Sequence, residues 1–106
     1  MIQEFLEKIK RELGIEYTEH HFETPPAMPY ITYERPQSNN FYADGIVYFS
    51  SGEVDILLHE SKRDEALEKK IESALNAFSM PWEKDSEWDE EEDMFIITYS
   101  TEEGRR

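Results

Sequence analysis

The sequence predicts an α+β fold, a single domain over residues 1–106 in which two helices pack on one face of a largely antiparallel sheet. Three observations lead there. Apolar residues recur at helical spacing in two separate segments, and runs rich in Tyr, Ile, Val and Phe with strand character lie between and after them. The resulting order is helix, strands, helix, hairpin, with no internal repeat. A length of 106 residues suits one compact domain with one hydrophobic core.

The first helix, from about residue 2 to 13, follows from Ile2, Phe5, Leu6, Ile9 and Leu13, whose spacing lines one helical face, and Gly14 stands where a left-handed cap ends such a segment. "YTEHHFE" (Tyr17 to Glu23) has strand composition, and "TPPAMP" then enforces extended or turn geometry before a second strand, "YITYE". Polar "RPQSNN" connects to "NNFYADGIVYF", where Asp44-Gly45 supplies either a tight turn or a strand bulge; residues 46 to 59 are then mainly extended. A second turn at Ser50 to Gly52 precedes Val54, Ile56 and Leu58, which alternate with Asp55, Leu57 and His59. Ser61 and Asp64 have the spacing of a capping box, and Leu67, Ile71, Ala74, Leu75 and Phe78 form the apolar face of the second helix. Pro81 stops that helix, and two strands, roughly 82 to 88 and 94 to 101, flank the acidic turn "DEEED".

Composition narrows the functional classes. A charged fraction of 34% accompanies six Phe, six Tyr and two Trp spread along the chain, which favours a folded protein over an acidic disordered one. The absence of cysteine removes disulfides and thiolate metal sites and is compatible with a reducing compartment. No apolar run approaches the ~18 residues of a membrane span, so a soluble, intracellular protein without a membrane partner is expected. A net charge of -14, from 25 acidic against 11 basic residues, disfavours tight nucleic-acid binding and suits a surface that repels DNA or imitates it.

Chemistry-bearing patterns are sparse. His20 and His21 with Glu23 are metal-ligand types, but neighbours on a strand point to opposite faces, and the expectation is two edge-strand histidines with no metal site. His59 beside Glu60 and Asp64 has the makings of a general base, yet no substrate group or nucleophile accompanies it; a surface or capping role is expected. "DSEWDEEED" is rich in oxygen ligands but lacks the alternation and glycine of a calcium loop, and reads as a solvated hairpin tip. No phosphate loop, nucleophile elbow or dinucleotide fingerprint is present, so neither catalytic nor cofactor-binding residues are assigned and the chain is expected not to be an enzyme. Trp82, Trp88 and Tyr99 are expected mostly in the core, with one or two aromatic groups left exposed as interface anchors.

The succession "PPAMPYITYE", "NNFYADGIVYF", "VDILLHESKRDEALEKKIESAL", "MPWEK" and "MFIITYS" resembles a family of small tail-completion proteins encoded by tailed phages and prophages of Gram-positive bacteria. The likeness spans roughly residues 17 to 101 and is carried most clearly by Pro29-Tyr30, by Phe41 to Gly45 and by the passage from Val54 to Leu75. These parts specify a fold and contain no catalytic signature. The family's "LYT"-type sequence before the second helix is replaced here by Leu58, His59, Glu60 and Ser61, so the cap survives and the adjoining aromatic contact does not.

The resemblance implies a structural role as a tail terminator or head-tail joining subunit. Such subunits self-associate into a ring at the head-proximal end of a tail tube, stop its growth and join it to the head connector. The implied partners are tail-tube and connector proteins, with DNA passing through the lumen, and the implied location is the host cytoplasm during assembly and then the virion tail or neck. The loop from Arg35 to Ala43, with Asn40, Phe41 and Tyr42 at its centre, is the expected subunit interface, its aromatic pair acting as anchors. The competing reading is an acidic inhibitor that imitates DNA in the cleft of a basic nucleic-acid-binding protein, motivated by the charge and by the cluster from Glu83 to Asp93.

Overall fold

The computed structural model describes residues 2–35, 42–43, 46–47 and 52–102, with the backbone alone at 42–43 and 46–47. Helix α1 (Ile2–Leu13) buries Ile2, Phe5, Leu6 and Ile9, the face its spacing demands. It ends at Gly14, whose φ of 70° suits a residue without Cβ and whose N–H donates to the Lys10 carbonyl at 2.9 Å. Strand β1 (Tyr17–Glu19) pairs in parallel with β2 (Tyr30–Glu34). The expected strand through Glu23 is therefore cut short, because His20 adopts φ 67° and turns the chain out of the sheet.

Backbone segments β3 (Tyr42–Ala43) and β4 (Ile46–Val47) pair antiparallel as a separate two-stranded unit, the pairing that a tight turn between them requires. Asp44, Gly45, Tyr48 and Phe49 lie outside the described residues, as do Asn40 and Phe41 of the expected interface; for Tyr42 only the backbone pairing to Val47 is described.

Strand β5 (Glu53–Glu60), helix α2 (Glu65–Ala77), β6 (Trp82–Asp89) and β7 (Met94–Glu102) complete the chain. The five-stranded sheet has the order β1-β2-β5-β7-β6, antiparallel except at β1–β2, and the architecture is the expected α+β. Opposed residues of antiparallel strands share a face, so register decides what each side chain meets. Ile31 and Tyr33, Val54, Ile56 and Leu58, and Ile97 and Tyr99 form one face and pack with α1 and with Ile71, Ala74 and Leu75 of α2. Burying each large apolar side chain there is worth roughly 1.5–3 kcal/mol. Phe5 meets Phe78 edge-on at 6.0 Å, joining the start of one helix to the end of the other.

Both ends of α2 have identifiable caps. Asp64, not Ser61, is the N-cap: its Oδ1 accepts the Leu67 N–H at 3.1 Å. At the other end Ser79 takes φ 57°, the Met80 N–H donates to the Leu75 carbonyl at 2.9 Å and the Ser79 N–H to Asn76 at 3.0 Å. This is the six-to-one and five-to-two pattern of a Schellman motif, and buried Met80 and Leu75 supply its apolar contact.

Candidate functional site

The same register that builds the core puts an acidic surface on the other side of the sheet. On β6, Lys84 opposes Tyr99 and so shares the helix-covered face, whereas Glu83, Asp85, Glu87 and Asp89 oppose Ser100, Thr98, Ile96 and Met94 on the face without helices. These four carboxylates recur every second residue, about 6.6–6.8 Å apart along the strand. Glu102 and Glu53 oppose each other on β7 and β5, and Asp55 opposes Glu34 across β5 and β2, extending the negative charge over the same face. No Lys or Arg occupies a described strand position on that face. Like charges directly opposite each other are destabilising, so the sheet carries this arrangement at a cost in stability.

Toward β2 the face is closed by the segment before that strand. Phe22 meets Tyr30 edge-on at 5.4 Å, and Tyr30 stacks on His59 at 4.5 Å. His59 is thus buried at 9% exposure, which corrects the expectation of a surface or capping residue. Its Nε2 lies 2.9 Å from Thr32 Oγ1 and its Nδ1 3.3 Å from Met94 Sδ. Burial holds its pKa below the ordinary value and favours the neutral ring. His20 and His21 are exposed and lie beyond the end of β1, with His20 Nε2 3.9 Å from Glu19 Oε2. Among the described residues no three His, Cys, Asp or Glu side chains converge closely enough to hold a metal ion.

An ionic network centred on buried Glu68 links α2 to the helix-side face. Arg63 donates to both Glu68 oxygens at 2.9 and 2.8 Å, and Lys84 reaches Glu68 at 2.9 Å and Glu72 at 2.7 Å. Tyr99 donates to Glu72 at 2.8 Å; burial, followed by that hydrogen bond, pushes its phenol pKa up. Burial alone would raise Glu68, but its bonds from Arg63 and Lys84 overcome this and bring it down to about 2. Glu60, 2% exposed, has both carboxylate oxygens shielded from solvent. Burial first, and then the neighbouring Glu68 carboxylate, push it up to about 8, so near neutral pH Glu60 is the acid and its O–H donates to Glu68. Proton-sharing carboxyl pairs also serve acid–base enzymes. Here the oxygens of Glu60 do not face solvent, and the pair fastens β5 to α2.

The aromatic groups divide as their exposure dictates. Tyr99 is in the core and Trp82, half-buried, packs on it at 5.6 Å, with its Nε1–H donating to Asn76 Oδ1 at 2.9 Å. Trp88 is 44% exposed and meets Phe95 edge-on at 4.7 Å. No protein-family model, curated protein or solved structure matches the chain.

Two features escaped the sequence reading. The carboxylate row was visible as a period of two in "EKDSEWD", but a sequence does not say which face of a strand lacks a helix. The Glu60–Glu68 pair joins residues of two elements and leaves no local pattern.

Among the described residues no helix is long and apolar enough to cross a membrane.

Proposed function

We propose that this chain is a structural subunit of a phage tail-completion ring, assembling at the head-proximal end of a tail tube, ending its growth and meeting the head connector. The observation that carries the reading is the single-sign sheet face formed by Glu83, Asp85, Glu87, Asp89, Glu102, Glu53, Asp55 and Glu34. A face of this sign turned toward a lumen repels phosphates, and DNA slides past without being held. The loop containing Asn40, Phe41 and Tyr42 stays in the proposal as a subunit contact.

A second reading is favoured by the regular row on β6. Carboxylates repeated every ~7 Å along one strand present a regular anionic row of the kind a basic cleft built for nucleic acid accepts. In that case the chain is an inhibitor and its partner a basic nucleic-acid-binding protein.

Deletion of the gene from the phage or prophage that carries it, beside complementation in trans, separates the two. The ring reading expects filled heads apart from tails of irregular length by electron microscopy, restored by complementation. Normal virions in the deletion strain overturn it, and a salt-sensitive complex with a basic protein, displaced by DNA, then supports the inhibitor.

A further inference from the structure

Helices α1 and α2 leave between them a groove of about 420 Å³, floored by Ile9, Leu13 and Ala74 and flanked by Lys8, Glu12, Lys69 and Lys70. Lys8 is held by Glu12 at 3.2 Å, whereas exposed Lys69 and Lys70 form no ion pair among the described residues. In a chain of net charge -14 this is an unusual place: an apolar floor with two unpaired ammonium groups at its rim.

The segment of complementary charge is the β6–β7 hairpin tip, Asp89, Glu90, Glu91, Glu92 and Asp93. It is a fixed turn, because Asp89 Oδ1 accepts the backbone N–H of Glu91 at 3.1 Å and of Glu92 at 3.2 Å. Its presentation therefore carries a reduced ordering cost on binding. The tip does not reach the groove of its own molecule. Glu92 is close enough to Tyr30 to help raise that phenol's pKa, after burial, and Tyr30 lies on the face of the sheet opposite the helices.

We infer that the hairpin tip of one copy docks into the α1–α2 groove of a second copy. The inference rests on the ring reading and supplies its geometry. Groove and tip are different surfaces, so the contact is head-to-tail, and a head-to-tail contact closes into a ring when its rotation permits. Charge complementarity identifies the occupant: five consecutive carboxylates meet Lys69 and Lys70. At physiological ionic strength, charges more than about 8 Å apart are largely screened, so the local attraction acts while the like charges of the two whole chains are attenuated. Of the carboxylate row on β6 only Asp89 belongs to the tip, so Glu83, Asp85 and Glu87 stay free to border a lumen.

The chain contains no cysteine, which allows a direct test. Ser73→Cys places a thiol in the groove and Glu91→Cys places one at the tip. On mild oxidation of the purified full chain, the mixture of the two variants is expected to form disulfide dimers that neither variant forms alone, and the double variant a ladder of larger species. Adding Lys69→Glu with Lys70→Glu to the groove variant should abolish the cross-link, and Glu90→Lys with Glu92→Lys on the tip variant should restore it. Equal cross-linking in all three mixtures, or none, overturns the inference. If the deletion strain still yields separated heads and tails, the ring reading survives that outcome with a different contact. A specific cross-link beside normal virions removes the tail role and leaves the self-association.

Discussion

Glu60 sits at the end of β5 beside the Glu68 carboxylate, and the surroundings decide which of the two carries the proton. Arg63 and Lys84 both bond Glu68, so the charge settles there and the proton on Glu60. The folded chain keeps that proton up to about pH 8, whereas the unfolded chain releases it near the ordinary value of 4.5. Between those values the folded state binds more protons, so the contribution of Glu60 to stability declines as pH rises. Glu68 has the opposite sign: held down at about 2, it contributes stability above 4.5 that is lost as pH falls toward 2. Buried His59 adds to the acid side, since its lowered pKa keeps the folded ring neutral where the unfolded one, below ~6.5, is protonated. Glu60→Gln preserves the shape, lets an amide N–H donate to Glu68 and removes the ionisation. Urea unfolding should find the variant close to wild type at pH 5 and more stable by a few kcal/mol at pH 9. Parallel stability profiles across that range would show that Glu60 is not where the proton resides.

At the level of elements, what was legible in the sequence was what depends on local pattern. Helix α1 has its expected bounds because its apolar face meets the sheet without conflict, and β2 and the β6–β7 hairpin fall where alternation and turn residues put them. The misses have tertiary causes. Glu60 is paired across to Phe95 and buried against Glu68, so the chain stays extended through the residue before Ser61 and the helix begins only after Asp64. His59 is buried because the β2–β5 register brings it to Tyr30, a partner 29 positions away in sequence. The parallel β1–β2 pair rests on contacts across the proline-rich segment that no local pattern encodes. The cap assignment is open to test. Asp64→Ala should lower the stability of the chain by about 1 kcal/mol, while Ser61→Ala leaves it nearly unchanged, both read from urea midpoints at constant slope. The reverse ranking would restore Ser61 as the cap.

Across the whole molecule the sheet separates two electrostatic environments. The helix side mixes both signs and is laced by ion pairs such as Lys8–Glu12, Lys10–Glu16 and Lys84–Glu72. The opposite face offers the carboxylates of β6 no cation on any described strand position. Neighbouring charges in the β6 row are ~7 Å apart, inside the ~10 Å Debye length at 0.1 M salt and outside the ~3 Å length at 1 M. Repulsion along the row is thus felt at low salt and removed at high salt. Replacing Glu83 and Glu87 with Gln and Asp85 with Asn should raise stability by about 1 kcal/mol at 0.05 M sodium chloride and leave it unchanged at 1 M. Identical stabilities at low salt would mean that solvent already screens the row and that it imposes no cost. The same variant then separates stability from function. A more stable chain that still completes tails makes the row incidental, whereas a more stable chain that fails to complete them shows that the negative face is kept for what it meets.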